Sequence, residues 1–138
     1  MNISGFEFPE ELLYDEEKHV WIKKEENNVI SIGITSLGQY MAGKIFQVST
    51  KEVGEKVTPR STLFSIESAK WVGKFRLPIT GEIIAVNENV IKDPSIINEK
   101  PYDAWIIKVK VESIDERRFK TINEAYEKFK EEAEKVVK

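Results

Sequence analysis

Between Val20 and Val111 the apolar positions come in short alternating or β-branched runs, set apart by clusters of turn residues. That is the two-residue period of half-buried strands. The pattern predicts strands at Val20–Lys23, Val29–Ile34, Lys44–Val48, Thr62–Glu67, Val72–Leu77, Gly81–Val86 and Trp105–Val111. The breakers between them include Glu25-Glu26-Asn27-Asn28, Val53-Gly54-Glu55, Thr58-Pro59-Arg60, Pro78-Ile79-Thr80-Gly81 and Asp93-Pro94-Ser95. Their Gly, Pro, Asn and Asp residues supply turn geometry. Ser36–Ala42 predicts a short helix, and Pro94–Asn98 a further helical turn. Short strands broken this often imply a sandwich or barrel-like β fold.

The C-terminal segment has a different period. Thr121-Ile122-Asn123-Glu124 has the spacing of a capping box, in which the threonine hydroxyl and the glutamate carboxylate each satisfy a backbone N–H. Beyond it Ala125, Phe129, Ala133 and Val136 recur at helical spacing and define one apolar face. Glu124/Lys128, Glu131/Lys135 and Glu134/Lys138 each place an acid four residues before a base, the favourable order on a helix. The expected organisation is a β domain with an N-terminal arm over residues 1–113, followed by a helix over 114–138. That helix packs Tyr126 or Phe129 on the same domain.

Gly43-Lys44-Ile45-Phe46-Gln47-Val48 and Gly81-Glu82-Ile83-Ile84-Ala85-Val86 share the form Gly-charge-Ile-apolar-x-Val. Each copy predicts a turn glycine opening a strand. One precedes Lys70 and the other follows it, as a two-fold β fold requires.

Composition narrows the function classes. A chain of 138 residues fits one domain with one sizeable core. A net charge of −3 without a basic stripe argues against a nucleic-acid binder. No apolar run approaches the ~20 residues that span a bilayer. The N-terminus lacks a basic region followed by an apolar one, so the expected location is the cytoplasm. The absence of cysteine excludes disulfides, thiolate metal sites and thiol nucleophiles. His19 is the only histidine, which leaves no Ser-His dyad or His-based metal site, and a structural role is expected for it. Asp15, Glu16 and Glu17 beside Lys18 suggest a solvated acidic stretch. Nothing here points to a catalyst.

At the centre, Phe64-Ser65-Ile66-Glu67-Ser68-Ala69-Lys70-Trp71-Val72 runs strand, polar break, strand, with a lysine at the break. This segment resembles the modified-lysine motif Glu-Ser-Val-Lys-Ala of the H-protein family of the glycine cleavage system. Pro78-Ile79-Thr80-Gly81-Glu82 through Asn87 is similar to that family's Pro-x-Ser-Gly-Glu-x-x-x-x-Asn. Asn98-Glu99-Lys100-Pro101-Tyr102 through Trp105 and Lys108 is similar to its Asn-x-x-Pro-Tyr…Trp-x-x-Lys. His19-Val20-Trp21, Gly33-Ile34-Thr35 and Val53-Gly54-Glu55-Lys56-Val57 fall in the family's order. The resemblance covers about residues 12 to 138, and several motifs in order are specific where one is weak.

The resemblance implies a lipoyl/biotinyl-type barrel-sandwich hybrid, mainly β, with a short internal helix and a C-terminal α-helix. It implies lipoic acid as cofactor, joined as an amide to Lys70, with Glu67, Ser68, Ala69 and Trp71 around the attachment. Small neighbours at Ser68 and Ala69 leave the amine open, and Glu67 offers a contact to a lipoate-attaching enzyme. The protein is then a monomeric, non-catalytic carrier that shuttles an intermediate and reducing equivalents among the enzymes of glycine cleavage. Two alternatives stand beside it. One is a lipoate-binding protein serving a sulfur-oxidising, heterodisulfide-reductase-like complex; the other is an unmodified interaction module.

Three departures bear on that choice. Val20 stands where the family has a glutamate, Lys18 where many members have a serine, and Lys74 where an aspartate is common. In the family these positions help line the cleft where the aminomethyl-loaded arm docks, so their replacement suits an anionic or uncharged cargo better. Trp71 stands where the family prefers a small residue. It either covers the arm or a partner contact, or folds back on the sheet.

Overall fold

A computed structural model describes residues 1–137. In chain order the strands are β1 (Asn2–Ile3), β2 (Phe6–Glu7), β3 (Leu13–Asp15), β4 (Val20–Lys24) and β5 (Val29–Ile34). Helix α1 (Ser36–Ala42) follows, then β6 (Ile45–Thr50), β7 (Lys56–Val57), β8 (Phe64–Ser68), β9 (Trp71–Phe75) and β10 (Ile79–Val86). Short helices α2 (Glu88–Lys92) and α3 (Ser95–Glu99), strand β11 (Ile107–Ile114) and helix α4 (Ile122–Val136) complete the order.

Two antiparallel sheets form the body, in the orders β3-β4-β5-β11-β10-β7 and β6-β8-β9. Alternation along the strands sends Ile22, Ile32, Ile66, Ile79, Ile83 and Val109 into one shared core, each almost without solvent contact. Each such side chain contributes about 1.5–3 kcal/mol when buried. This is the mainly β, two-sheet arrangement expected from the sequence, with the repeat's copies in different sheets: Ile45–Val48 in β6 and Gly81–Val86 in β10.

The second half of the repeat departs from expectation. Gly81 does not open a strand but lies inside β10, beside a register shift at Thr80/Gly81. A Cβ there would run into the Lys110 carbonyl of the neighbouring strand. Close approach of two backbones, not a turn, requires this glycine.

A second cluster joins the N-terminal arm to α4. Both halves of the capping box form: Thr121 N donates to Glu124 Oε1 at 2.9 Å, and Glu124 N donates to Thr121 Oγ1 at 3.3 Å. The helix then buries Ile122, Ala125, Phe129 and Ala133. Phe129 stacks on Phe8 at 4.5 Å and meets Tyr14 edge-on at 5.8 Å. On the exposed side Lys135 pairs with Glu131 at 3.3 Å. Lys128 pairs with Glu132 at 3.7 Å and not with Glu124. The Glu134/Lys138 pair lies outside the described residues.

The acidic stretch is only partly solvated. Asp15 is buried, accepting from Glu17 N at 3.0 Å, Lys18 N at 3.1 Å and Arg118 Nη2 at 2.9 Å. A carboxylate with three donors can leave water. It fixes the turn that delivers Lys18 and His19 to the site described next.

Candidate functional site

Strands β8 and β9 pair with Ser68 opposite Trp71, so Ala69 and Lys70 alone make the connecting loop. Both are exposed. Two-residue hairpin loops favour turns with positive φ, which match the twist of the strands. Neither Ala69 nor Lys70 takes one; among the described residues the non-glycine positions with positive φ are Ser4, His19, Asn27 and Asn28. The tip is held from beneath. Ser68 is buried, and its hydroxyl donates to the Ala42 carbonyl at the end of α1 at 2.6 Å. Ser68 is therefore a fastener of the hairpin, not a residue that opens space around the amine.

The Lys70 side chain lies along Gly43. A Cβ at Gly43 would stand 2.9 Å from Lys70 Cε, and Gly43 has φ +82°. Glycine is thus needed twice over, for conformation and for room. Asn98 secures the junction: its amide donates to the Gly43 carbonyl and to Gln39 Oε1, both at 2.9 Å, while its oxygen accepts from Ile45 N at 2.9 Å. The lysine on the loop and the glycine and asparagine far from it in sequence form one unit. Glu67 lies apart from it, half-exposed and opposite Val72 and Gln47 on the sheet.

Beside the tip opens a cleft of about 340 Å³. Ile34, Met41, Ala42, Ile45, Ile66 and Phe75 give it an apolar floor. Glu17, Lys18, Trp71 and Lys74, all exposed, stand at its mouth with half-buried His19. Gly38 of α1 lets the helix lie against His19, whose Cβ would be 2.8 Å from a side chain there. Val20, expected in this cleft, is instead fully buried in the core and lines nothing.

Trp71 settles between its two expected placements. Its indole folds back onto Gly73, where any Cβ would occupy the ring, and meets Phe75 edge-on at 6.0 Å. It stays 40% exposed and forms part of the cleft mouth. Gly73 and Asn98 are site residues that pattern reading missed. An indole two residues before a strand glycine is the one signal that pointed to the former.

His19 links the cleft to the C-terminal helix through a 2.7 Å contact from Nε2 to Glu132. Burial lowers its pKa from the usual 6.5, opposed by the Glu132 carboxylate. Its buried Nδ1 has no hydrogen-bond partner among the described residues; an added proton there would be an unsatisfied donor, which favours the neutral ring.

An exposed lysine on a fastened tip, a glycine cradle under its stem and an apolar cleft alongside suit an acyl chain in amide linkage. Comparison with known proteins agrees. The family model for glycine cleavage H-protein matches residues 12–133. A probable glycine cleavage system H protein 3 of Saccharolobus solfataricus is 64% identical over the full length of both chains. The glycine cleavage system H protein 3 of Aquifex aeolicus is 40% identical, over 77% of this chain and 66% of that one. The crystal structure of a glycine cleavage system H protein from Mycobacterium marinum superposes with a TM-score of 0.78 at 29% identity, covering 87% of this chain and 98% of the other. The chain belongs to the glycine cleavage H-protein family, lipoyl carriers whose members bear lipoate covalently on a lysine.

Proposed function

We propose that Lys70 is the lysine that bears the lipoyl group, and that this chain is a non-catalytic, monomeric carrier working in the cytoplasm. The observation that carries the reading is the tip itself: Lys70 projects from a two-residue loop that Ser68 and Asn98 fasten from below. A fixed tip with a free side chain can be entered into several active sites in turn. Its partners on this reading are a lipoate-attaching enzyme, to which Ala69 beside the lysine and Glu67 further back on β8 offer contacts, and the enzymes of glycine cleavage. When bound, the lipoyl group supplies a ring disulfide that accepts electrons together with a transferred group and is later restored by disulfide exchange. The protein supplies display, orientation and cover: Gly43 cradles the stem, and the cleft floor shields an apolar chain from water. Residues 1–113 form the carrying body on this reading, and 114–138 brace it.

Service to a sulfur-oxidising, heterodisulfide-reductase-like complex is the less favoured assignment, since the relatives bear the glycine cleavage name. A loading assay separates the two. Lipoylated protein given glycine decarboxylase and glycine labelled at its α-carbon should take up label, since the carboxyl carbon leaves as CO2, and the Lys70→Arg protein should take up none. Lipoylated protein that takes up no label would remove the glycine cleavage assignment.

A further inference from the structure

Two residues of the segment from Asn98 to Lys108 grip helix α1 at opposite ends. Asn98 holds the C-terminal end, donating to Gln39 Oε1 and to the Gly43 carbonyl, both at 2.9 Å. Tyr102 holds the N-terminal end, where its hydroxyl accepts from Ser36 N at 3.0 Å. The same hydroxyl donates to the Glu7 carbonyl at 2.6 Å, and Ser36 Oγ donates to that carbonyl at 2.7 Å. Two hydroxyls thus pin the N-terminal arm to the first turn of α1. Burial, opposed by the bonds to Ser36, pushes the Tyr102 pKa up to about 12, so the donor keeps its proton at any ordinary pH.

Helix α1 depends on such support. It has seven residues, fewer than the roughly 12–15 at which a helix becomes even marginally stable alone in water. Its buried Leu37 and partly buried Met41 pack in the cluster that arm residues Ile3, Phe6 and Phe8 share with α4. Phe6 also meets Tyr40 of α1 edge-on at 5.3 Å. These arm residues precede residue 12, where the match to the family model begins. At its other end the helix meets the tip: the Ala42 carbonyl accepts from Ser68, and Gly43 lies under the Lys70 stem.

We propose that Tyr102 is a positioning residue for Lys70, clasping the N-terminal arm to α1 so that the helix holds the hairpin tip in place. Its functional half rests on the proposed attachment at Lys70. The lever is α1, gripped by Asn98 beside the tip and by Tyr102 beside the arm. The Glu7 carbonyl lies at the surface, so water competes for the clasp, and it opens without unfolding the core. With the clasp open, α1 loses support and the tip samples more positions. An enzyme that takes up Lys70 must then order the tip itself, which weakens binding.

Tyr102→Phe removes the hydroxyl and keeps the ring beside Trp21. In the full-length, unlipoylated protein, amide exchange should quicken about three- to tenfold, the factor that one such hydrogen bond is worth. The affected amides should be Gln39 and Gly43, which donate within α1 and at its end, and Trp71, which closes the tip opposite Ser68. Phe129 and Ala133 in α4 should exchange as in the parent. Ser36→Ala removes the other donor to Glu7 and should act in the same direction; it decides the matter alone if Tyr102→Phe does not fold. With a lipoate-attaching enzyme and lipoyl-adenylate, from which AMP leaves as the amide forms, KM for Tyr102→Phe should rise about threefold with kcat unchanged, as a smaller competent population requires. Val57→Ala, a core truncation in β7, should lower the melting temperature without raising KM.

Unchanged exchange at Gln39, Gly43 and Trp71 would overturn the inference. So would equal quickening in α4, or a KM that rises as much in Val57→Ala, since either makes Tyr102 a contributor to general stability alone. The absence of a lipoyl increment on the parent would fail the attachment reading instead, and the exchange data would still judge the clasp.

Discussion

Two indoles in this molecule rest on glycines, and they are held in opposite ways. Trp21 in β4 lies on Gly33, its partner across the β4–β5 pair. It is buried, and its Nε1 donates to the Pro101 carbonyl at 3.1 Å. Trp71 in β9 lies on Gly73 of its own strand, with one face open at the cleft mouth. The same device, an aromatic ring filling the place of a missing Cβ, serves structure in one place and a site in the other. What separates them is closure. Trp21 belongs to the aromatic cluster sealed by α4, whereas Trp71 is left at the edge of a three-stranded sheet, next to the loop that carries Lys70.

That contrast gives its own tests. Replacing Trp21 with alanine should cost about 3–5 kcal/mol, as large aromatic truncations in cores do. Trp71→Ala should cost about 1 kcal/mol or less by the same urea titration, because its exposed half gains little from burial. Similar losses at the two positions would erase the distinction.

The glycines beneath should sort in the same order. Gly33→Ala forces a methyl into a ring that cannot leave, an overpacking cost of about 1–3 kcal/mol. Gly73→Ala can be relieved by swinging Trp71 into solvent, so it should show a red-shifted tryptophan emission with a smaller shift in melting temperature. A blue shift would mean that Trp71 has another buried resting place.

Ser68→Ala should cost about 1–2 kcal/mol by leaving the buried Ala42 carbonyl unpaired. Its clearest mark should be faster amide exchange at Ala69 and Lys70, with the α4 amides unchanged. Unaltered exchange at the tip would mean that the hairpin does not depend on this fastener.

The smallest effect concerns pH. Because burial depresses the pKa of His19, the unfolded chain takes up a proton first as acidity increases. The stability this residue contributes is therefore complete above about pH 6.5 and is lost as pH falls below it. His19→Asn suits the positive φ of 61° at this position. It should flatten the melting temperature between pH 7 and pH 5 relative to the parent; an unchanged slope would place the proton elsewhere.

Much of this architecture was legible along the chain because it is written in local patterns. Val29–Ile34 and Ser36–Ala42 stand as read, and the Thr121/Glu124 box caps α4 from both sides. The lysine at the break of β8 and β9 was equally plain. What the pattern could not give were contacts set by register and distant pairing. The ring over Gly33 comes from a cross-strand partner, Asn98 reaches Gly43 from α3, and Asp15 is buried only because Arg118 comes to it. Val20 was misplaced for the same reason. Its neighbours Lys18 and His19 face the cleft, but a strand starting at Val20 turns that side chain into the core.

The central claim is that the arm grows from one lysine. Protein produced in a lipoylating host, digested and fragmented in the mass spectrometer, should carry one lipoyl increment, and that increment should map to Lys70. It should map neither to Lys74 nor to Lys44, and Lys70→Arg should abolish it. An increment at a neighbouring lysine, or one that survives Lys70→Arg, would contradict the account.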